Sequence, residues 1–202
     1  MREIYIIGGS PCSGKSTVAS YLSERYDLEY FQVDDHLEKY TKKGALLGYP
    51  ICESRVNIDN LWTRDPSLMC DEEIKFYEEI FDFILEDLEN LESSKSIITE
   101  GAAFLPKLID SKPCLKEKYM VIAPSSDFQV LHYRKREWVD FVLEKCADKE
   151  KSFSNWMRRD ILFAEKVRKE CIKYGYYHIV NNGNLSIKDL IHKVSVYFGL
   201  NI

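Results

Sequence analysis

The sequence predicts an α/β fold, a five-stranded parallel sheet with helices on both faces. Three observations predict it. Short apolar runs at 3–8, 29–33, 96–100, 119–123 and 176–180 have the near-continuous hydrophobic character of strands buried on both faces. Helical patterns lie between these runs, and strands alternating with helices argue for parallel pairing. A glycine turn then joins the first run to the first helical pattern. It reads Gly8-Gly9-Ser10-Pro11-Cys12-Ser13-Gly14-Lys15-Ser16-Thr17.

Each helix has its own justification. Residues 15–26 follow the glycine turn directly. Residues 71–91 carry Ile74, Tyr77, Phe81, Ile84, Leu88 and Leu91 at steps of three or four, the spacing of one buried helix face. Residues 152–174 repeat that spacing with Phe153, Trp156, Ile161, Ala164, Val167 and Cys171. The last helix starts at Ser186, with Asp189 three residues on, the layout of a capping box.

The glycine turn has the spacing Gly-x-x-x-x-Gly-Lys-Ser between strand and helix, the pattern of a phosphate-binding loop. Gly9 and Gly14 permit the tight turn and the close backbone approach. The N–H groups of residues 12 to 17, with the positive end of the following helix, form an anion cradle. Lys15 supplies a mobile charge for the β- and γ-phosphates, and the Ser16 hydroxyl a hard oxygen for Mg²⁺. Ser10, Pro11, Cys12, Ser13 and Thr17 complete the loop.

Composition excludes other classes. A net charge of -5 opposes general nucleic-acid binding, which needs a basic surface. No stretch approaches the ~20 apolar residues of a membrane span. The opening MREIYII enters a strand rather than a signal-peptide layout, and the six cysteines form no C-x-x-C pair. They read as reduced, mostly buried thiols, and the expected location is cytoplasmic. The 202 residues are expected to form one domain.

Ligands of parallel sheets bind at the carboxyl ends of strands, so chemistry is sought there. The second strand ends in Asp34 and Asp35. A carboxylate there can take a proton from a hydroxyl or hold Mg²⁺, while the plainer role is a helix cap. The third ends in Glu100-Gly101, and a carboxylate in an apolar strand needs a metal, a cation or a substrate. Gly101 leaves room beside it. Arg134, Lys135 and Arg136 follow the fourth strand. Glu137 and Asp140 stand at helical spacing from Arg134 and Arg136 and could pair with them. Arg158 and Arg159 have no acid three or four residues away, which frees them for phosphate or a distant carboxylate. Asn181-Asn182-Gly183 is a turn that could border a nucleobase.

This order of motifs resembles the P-loop kinases of the nucleoside and nucleotide kinase type. Relatives include adenylate, cytidylate, shikimate and gluconate kinases and chloramphenicol phosphotransferase. The resemblance spans the chain in layout, and only the phosphate loop is specific. It implies a three-layer P-loop fold with sheet order 2-3-1-4-5, using ATP and Mg²⁺. It also implies an acceptor-binding segment at about 36–95 and a lid at about 126–160. Asp34 matches the acid facing the substrate hydroxyl, and Glu100-Gly101 looks like the Asp-Gly pair of adenylate kinases. Arg136 and Arg158 or Arg159 look like lid arginines, with Asn182-Gly183 bordering adenine.

Three functions compete. The first is an ATP-dependent kinase acting on a hydroxyl of a small molecule. The second is a nucleoside monophosphate kinase, for which Arg55 and Arg64 would hold the acceptor phosphate. In either, Tyr49, Trp62 and Tyr77 could stack on the acceptor. The Asp34-Asp35 pair leans toward the first, because a hydroxyl benefits from a base. The third is a nucleotide-dependent switch. It is disfavoured, because the chain has no Asp-x-x-Gly and no Asn-Lys-x-Asp.

Overall fold

The computed structural model describes residues 2–56 and 61–200. Strand β1 (Ile4–Gly8) leads into helix α1 (Lys15–Tyr26), and β2 (Glu29–Gln32) follows. A 3₁₀ turn at Val33–His36 leads to α2 (Leu37–Leu46), α3 (Pro50–Val56) and the long α4 (Pro66–Glu89). After β3 (Ile97–Glu100) come α5 (Pro106–Asp110), β4 (Tyr119–Pro124), α6 (Ser126–Arg134) and α7 (Glu137–Val142). Helix α8 (Lys149–Tyr174), β5 (His178–Asn181) and α9 (Ile187–Phe198) complete the chain.

The five strands are all parallel, in the order β2-β3-β1-β4-β5. That is the order implied by the resemblance to P-loop kinases, with the glycine turn leaving the central strand. Successive side chains of a strand point to opposite faces, and the core divides accordingly. Ile6, Phe31, Ile97 and Val121 pack with α4 and α8 on one face. Tyr5, Ile7, Ile98, Met120 and Ile122 pack with α1 and α9 on the other. A third, smaller cluster ties α6, α7 and α8 together through Tyr133, Val139, Phe153 and Trp156.

Register brings the strand ends together. Glu100 lies between Ile7 of β1 and Gln32 of β2. The glycine turn therefore starts one residue beyond Glu100's level, and Asp34 lies two residues past Gln32. Pro124 pairs with Asn181 on the other side of the sheet.

The local signals act as expected at the C-terminus. Ser186 Oγ accepts from the Asp189 N–H, and the Asp189 carboxylate accepts from the Ser186 N–H, both at 3.2 Å. Helix α4 begins earlier than the apolar spacing indicated. Asp65 caps it, accepting from the N–H groups of Ser67 and Leu68 at 3.0 Å, with Pro66 in the first turn. Asp34 and Asp35 cap nothing: the 3₁₀ turn carries them on its outside, and α2 starts from His36. All six cysteines are free thiols, with Cys52, Cys70 and Cys171 buried, Cys12 and Cys146 half-buried and Cys114 exposed. Among the described residues no helix is long and apolar enough to cross a membrane.

Gly9 carries the sharpest constraint in the fold. Its φ is +127°, and a Cβ there would lie 2.0 Å from the Ile122 carbonyl oxygen of β4. Gly9→Ala is expected to lower the unfolding free energy by about 2 kcal/mol or more. Denaturant titration checks this, and an unchanged midpoint would contradict it.

Candidate active site

The loop between β1 and α1 is shaped by left-handed backbone at three residues. Gly9 (+127°), Cys12 (+62°) and Gly14 (+95°) all have positive φ, which curls the chain into a cradle. Helix α1 begins at Lys15 with no side chain capping it and no acid in its first turn. Its free N–H groups and positive dipole end therefore face the cradle unneutralised. Ser13 Oγ is buried there with no hydrogen-bond partner among the described residues. Lys15 Nζ donates to the Ser10 carbonyl at 3.0 Å, closing the loop on itself. An open cradle, an orphaned hydroxyl and a lysine at its mouth fit a polyphosphate.

Two residues brace this loop: Gln129, which the sequence reading missed, and Asn181, which it placed only in the turn after the fifth strand. Gln129 of α6 donates through Nε2 to Ser10 Oγ (2.9 Å) and to the Pro11 carbonyl (3.0 Å). Asn181 at the end of β5 donates through Nδ2 to the Ser13 carbonyl (3.0 Å), and its Oδ1 accepts from the Gly183 N–H (3.1 Å). Asn182, the expected neighbour of adenine, is exposed and turns toward the Asn184 N–H instead. Gly183 lies with Phe128, His132, Leu185, Leu190 and Arg136 around a cavity of about 320 Å³ beside Cys12, Gly14 and Thr17.

The acids meet on the other side of the loop. Glu100 is buried, and the hydrogen bond to its carboxylate comes from the Tyr30 hydroxyl at 3.3 Å. Tyr30 was also missed by the sequence reading. Burial and the Glu100 carboxylate raise its phenol, and Ser16 faces the same oxygen. Asp34 has an open surface, yet it lies deep enough between protein walls for desolvation to raise its carboxyl. Lys15 opposes that rise, while Glu100, Glu73 and Asp35 add to it. Asp34 thus responds to the charges of both the loop lysine and Glu73. Asp35 is exposed beside it.

For Mg²⁺, Ser16 and Glu100 are hard oxygen donors at the mouth of the loop, and Asp34 is a third nearby. Among the described residues no three His, Cys, Asp or Glu side chains form a cage. Gly101 makes no space for a ligand. A Cβ there would lie 2.9 Å from Val33 Cβ, so its bare backbone serves packing between β2 and β3.

The arginines separate. Helix α6 ends at Arg134 and α7 starts only at Glu137, so the helical pairings with Glu137 and Asp140 do not form. Arg134 reaches Glu150 at 3.1 Å instead. Arg136 is exposed without an ion pair among the described residues, over the rings of Tyr133 and Trp138 and on the wall of the 320 Å³ cavity. Arg158 is also exposed and unpaired among them. Arg159, expected to be free, is buried and doubly bound, to Glu73 of α4 at 3.0 Å and to the adjacent Asp160 at 2.6 Å. Burial lowers the Arg159 guanidinium, but Asp160 and Glu73 outweigh it and raise it.

A second cavity, of about 410 Å³, opens between α2, α3, α4 and α8. Arg55 lines it and pairs with Glu73. Arg64 lies behind it, gripping both carboxylate oxygens of Glu72 at 2.7 and 2.5 Å. The aromatic residues expected to stack on an acceptor are otherwise engaged. Tyr49 stacks on Phe83, Trp62 on Trp156, and Tyr77 is buried edge-on to Phe163. Residues 57–60, within the expected acceptor segment, lie outside the described residues.

No protein-family model matches the sequence, and no curated protein matches it. Among solved structures the chain is similar to a shikimate kinase from Bacteroides thetaiotaomicron, with 12% identity over 98% of this chain and 97% of that one, at a TM-score of 0.49. It is similar to a deoxyadenosine kinase from M. mycoides with bound dATP, with 12% identity over 97% and 99% at 0.48. It is also similar to a shikimate kinase from Acinetobacter baumannii in complex with shikimate, with 15% identity over 100% and 96% at 0.45.

The brace at Asn181 gives a test of the loop. Asn181→Ala removes the Ser13 contact and should weaken binding of ATP with Mg²⁺ about tenfold, while the sheet still forms. Calorimetric titration of the folded variant measures it, and wild-type affinity would remove the brace from the site.

Proposed function

We propose that this chain is a kinase that transfers the γ-phosphate of ATP to a hydroxyl of a small molecule. The observation that carries the reading is the position of Asp34. Its carboxyl feels the charges both of Lys15 in the loop and of Glu73, a wall residue of the 410 Å³ cavity. A base between a phosphate loop and a cavity is where an acceptor hydroxyl must lose its proton.

In this reading the loop from Gly9 to Thr17 holds the ATP phosphates, and Lys15 exchanges the Ser10 carbonyl for their oxygens. The base occupies the 320 Å³ cavity by Phe128 and Gly183. ATP is preferred to GTP because the guanine motif is absent. Ser16 and Glu100 would hold Mg²⁺, which neutralises phosphate charge when bound. The acceptor enters the 410 Å³ cavity built by the 36–95 segment. As its oxygen bonds to the γ-phosphorus, the bond to the bridging oxygen breaks, ADP leaves, and the proton passes to Asp34. Arg136 and Arg158, with no carboxylate partner among the described residues, are available to the charge on the moving phosphate from the 126–160 lid side. Arg159, already matched by two acids, acts as a positioning residue.

Asp34→Asn keeps size and hydrogen bonding but cannot take the proton. Turnover should fall by ~10²–10⁴ with ATP affinity little changed. Arg55→Ala and Arg64→Ala should reduce it far less. If the acceptor were a nucleotide, the ranking would reverse, and Asp34→Asn would retain more than about a tenth of turnover.

The pH profile follows from the same residue. Asp34 works ionised, and its carboxyl is raised above 3.8 by burial and by Glu100, Glu73 and Asp35, against the opposing Lys15. Activity should therefore fall as pH drops through a value above the ordinary one for aspartate, with a slope of one proton. A turnover profile flat down to pH 4 would contradict the assignment.

A further inference from the structure

The 410 Å³ cavity has a charge balance that names its ligand. Its wall carries three bases, Lys42, Arg55 and Arg159, and three acids, Glu38, Glu72 and Glu73. Every base is already matched. Lys42 pairs with Glu38 at 2.5 Å, Arg55 pairs with Glu73, and Arg159 pairs with Glu73 at 3.0 Å and Asp160 at 2.6 Å. Glu72 faces the cavity while its two oxygens hold Arg64. Among the described residues the wall therefore offers no spare cation.

Resting on the kinase reading above, we propose that Glu73 selects the charge of the acceptor. By holding Arg55 and Arg159 it makes a cavity for an uncharged hydroxyl compound and against phosphate- or carboxylate-bearing ones.

The pairs differ in how firmly they hold. Lys42 and Glu38 are 67% and 82% exposed, so their pair is weak and screened. The side chains of Glu73 and Arg159 are only 13% and 11% exposed. Burial alone would raise the Glu73 carboxyl, but Arg159 and Arg55 hold it down at about 2. An anionic acceptor would have to draw a guanidinium away from this buried carboxylate. That takes one of two partners from a carboxylate in low dielectric, and the newcomer then faces Glu72 and Glu73 as like charges. A neutral acceptor meets no such penalty. The remaining wall is Ile51, Val56, Leu61 and Met69 with the hydroxyls of Thr41 and Ser54. It suits a compound with one apolar face and hydroxyls along its rim.

Removing the charge of Glu73 should release Arg55 toward the cavity and leave Arg159 held by Asp160 alone. The test uses wild-type chain and Glu73→Gln, each saturated with a non-hydrolysable ATP analogue and Mg²⁺ so that the phosphate loop is filled. Inorganic phosphate is then titrated while the melting temperature is followed. Wild type should show no further rise. Glu73→Gln, folded by circular dichroism, should melt progressively higher with phosphate, and adding Arg55→Gln to it should remove most of the gain. A saturable rise in wild type would overturn the proposal. So would a folded Glu73→Gln that is merely less stable and indifferent to phosphate, the behaviour of a purely structural tether. The wild-type arm decides even where the variant fails to fold. The kinase reading fails separately, on the first addition, if the ATP analogue does not raise the melting temperature of wild type.

Discussion

The turn at Gly9 is pressed against the backbone of β4, and the rest of the site depends on that contact. With 2.0 Å between a hypothetical Cβ and the Ile122 carbonyl oxygen, no side chain fits there. Because the chain can pass so close, it re-emerges over the carboxyl ends of the central strands instead of swinging out to solvent. Lys15 is thereby set at the head of α1, and Ser16 opens toward Tyr30 and Glu100. The same curl places a non-glycine residue, Cys12, at a φ of +62°. A β-carbon tolerates that region poorly. The Cys12 side chain packs against the α6–α8 cluster, which offsets part of the strain and joins the loop to the lid side.

The second organising feature is Glu73. It gathers Arg55 from α3 and Arg159 from α8 onto α4, over sequence separations of 18 and 86 residues. Buried charge pairs are weak sources of net stability but strong sources of geometry, since breaking one leaves an uncompensated ion. Trp62 stacked on Trp156 at 4.3 Å ties the same parts together, with Arg159 over the Trp62 ring at 4.9 Å. Helices α3, α4 and α8 are thus joined at one place, close to the proposed base. The phosphate loop reaches that place too, as Ser10 Oγ lies 3.5 Å from the Asp160 carbonyl.

What the sequence made legible was whatever is local. Each strand announced itself by a run of apolar residues, and the Ser186–Asp189 box by its spacing. The glycine turn was readable because its backbone needs glycine at fixed offsets. Partners far along the chain leave no such mark. Nothing near Arg159 pointed to Glu73, and scanning three or four residues either way passed over Asp160 next door. The pairing of Arg134 failed because the helix breaks before Glu137, and that of Arg136 because it is the extended N-cap of α7 instead of a helical residue, which spacing alone does not reveal. Gln129, Asn181 and Tyr30 are ordinary polar residues in ordinary patterns. Only the register of five strands brings them to the loop. Asp65-Pro66, by contrast, was a readable helix start that apolar spacing alone overlooked.

The central claim is that phosphate moves to a hydroxyl, and ³¹P NMR tests it most directly. The purified chain is incubated with ATP, Mg²⁺ and pools of sugars, nucleosides, nucleoside monophosphates and hydroxy acids, and the fate of the γ-phosphate is followed. The account predicts that the γ resonance is replaced by that of a new phosphomonoester, formed from an uncharged acceptor. A new phosphoanhydride pair arising from a nucleoside monophosphate would contradict it.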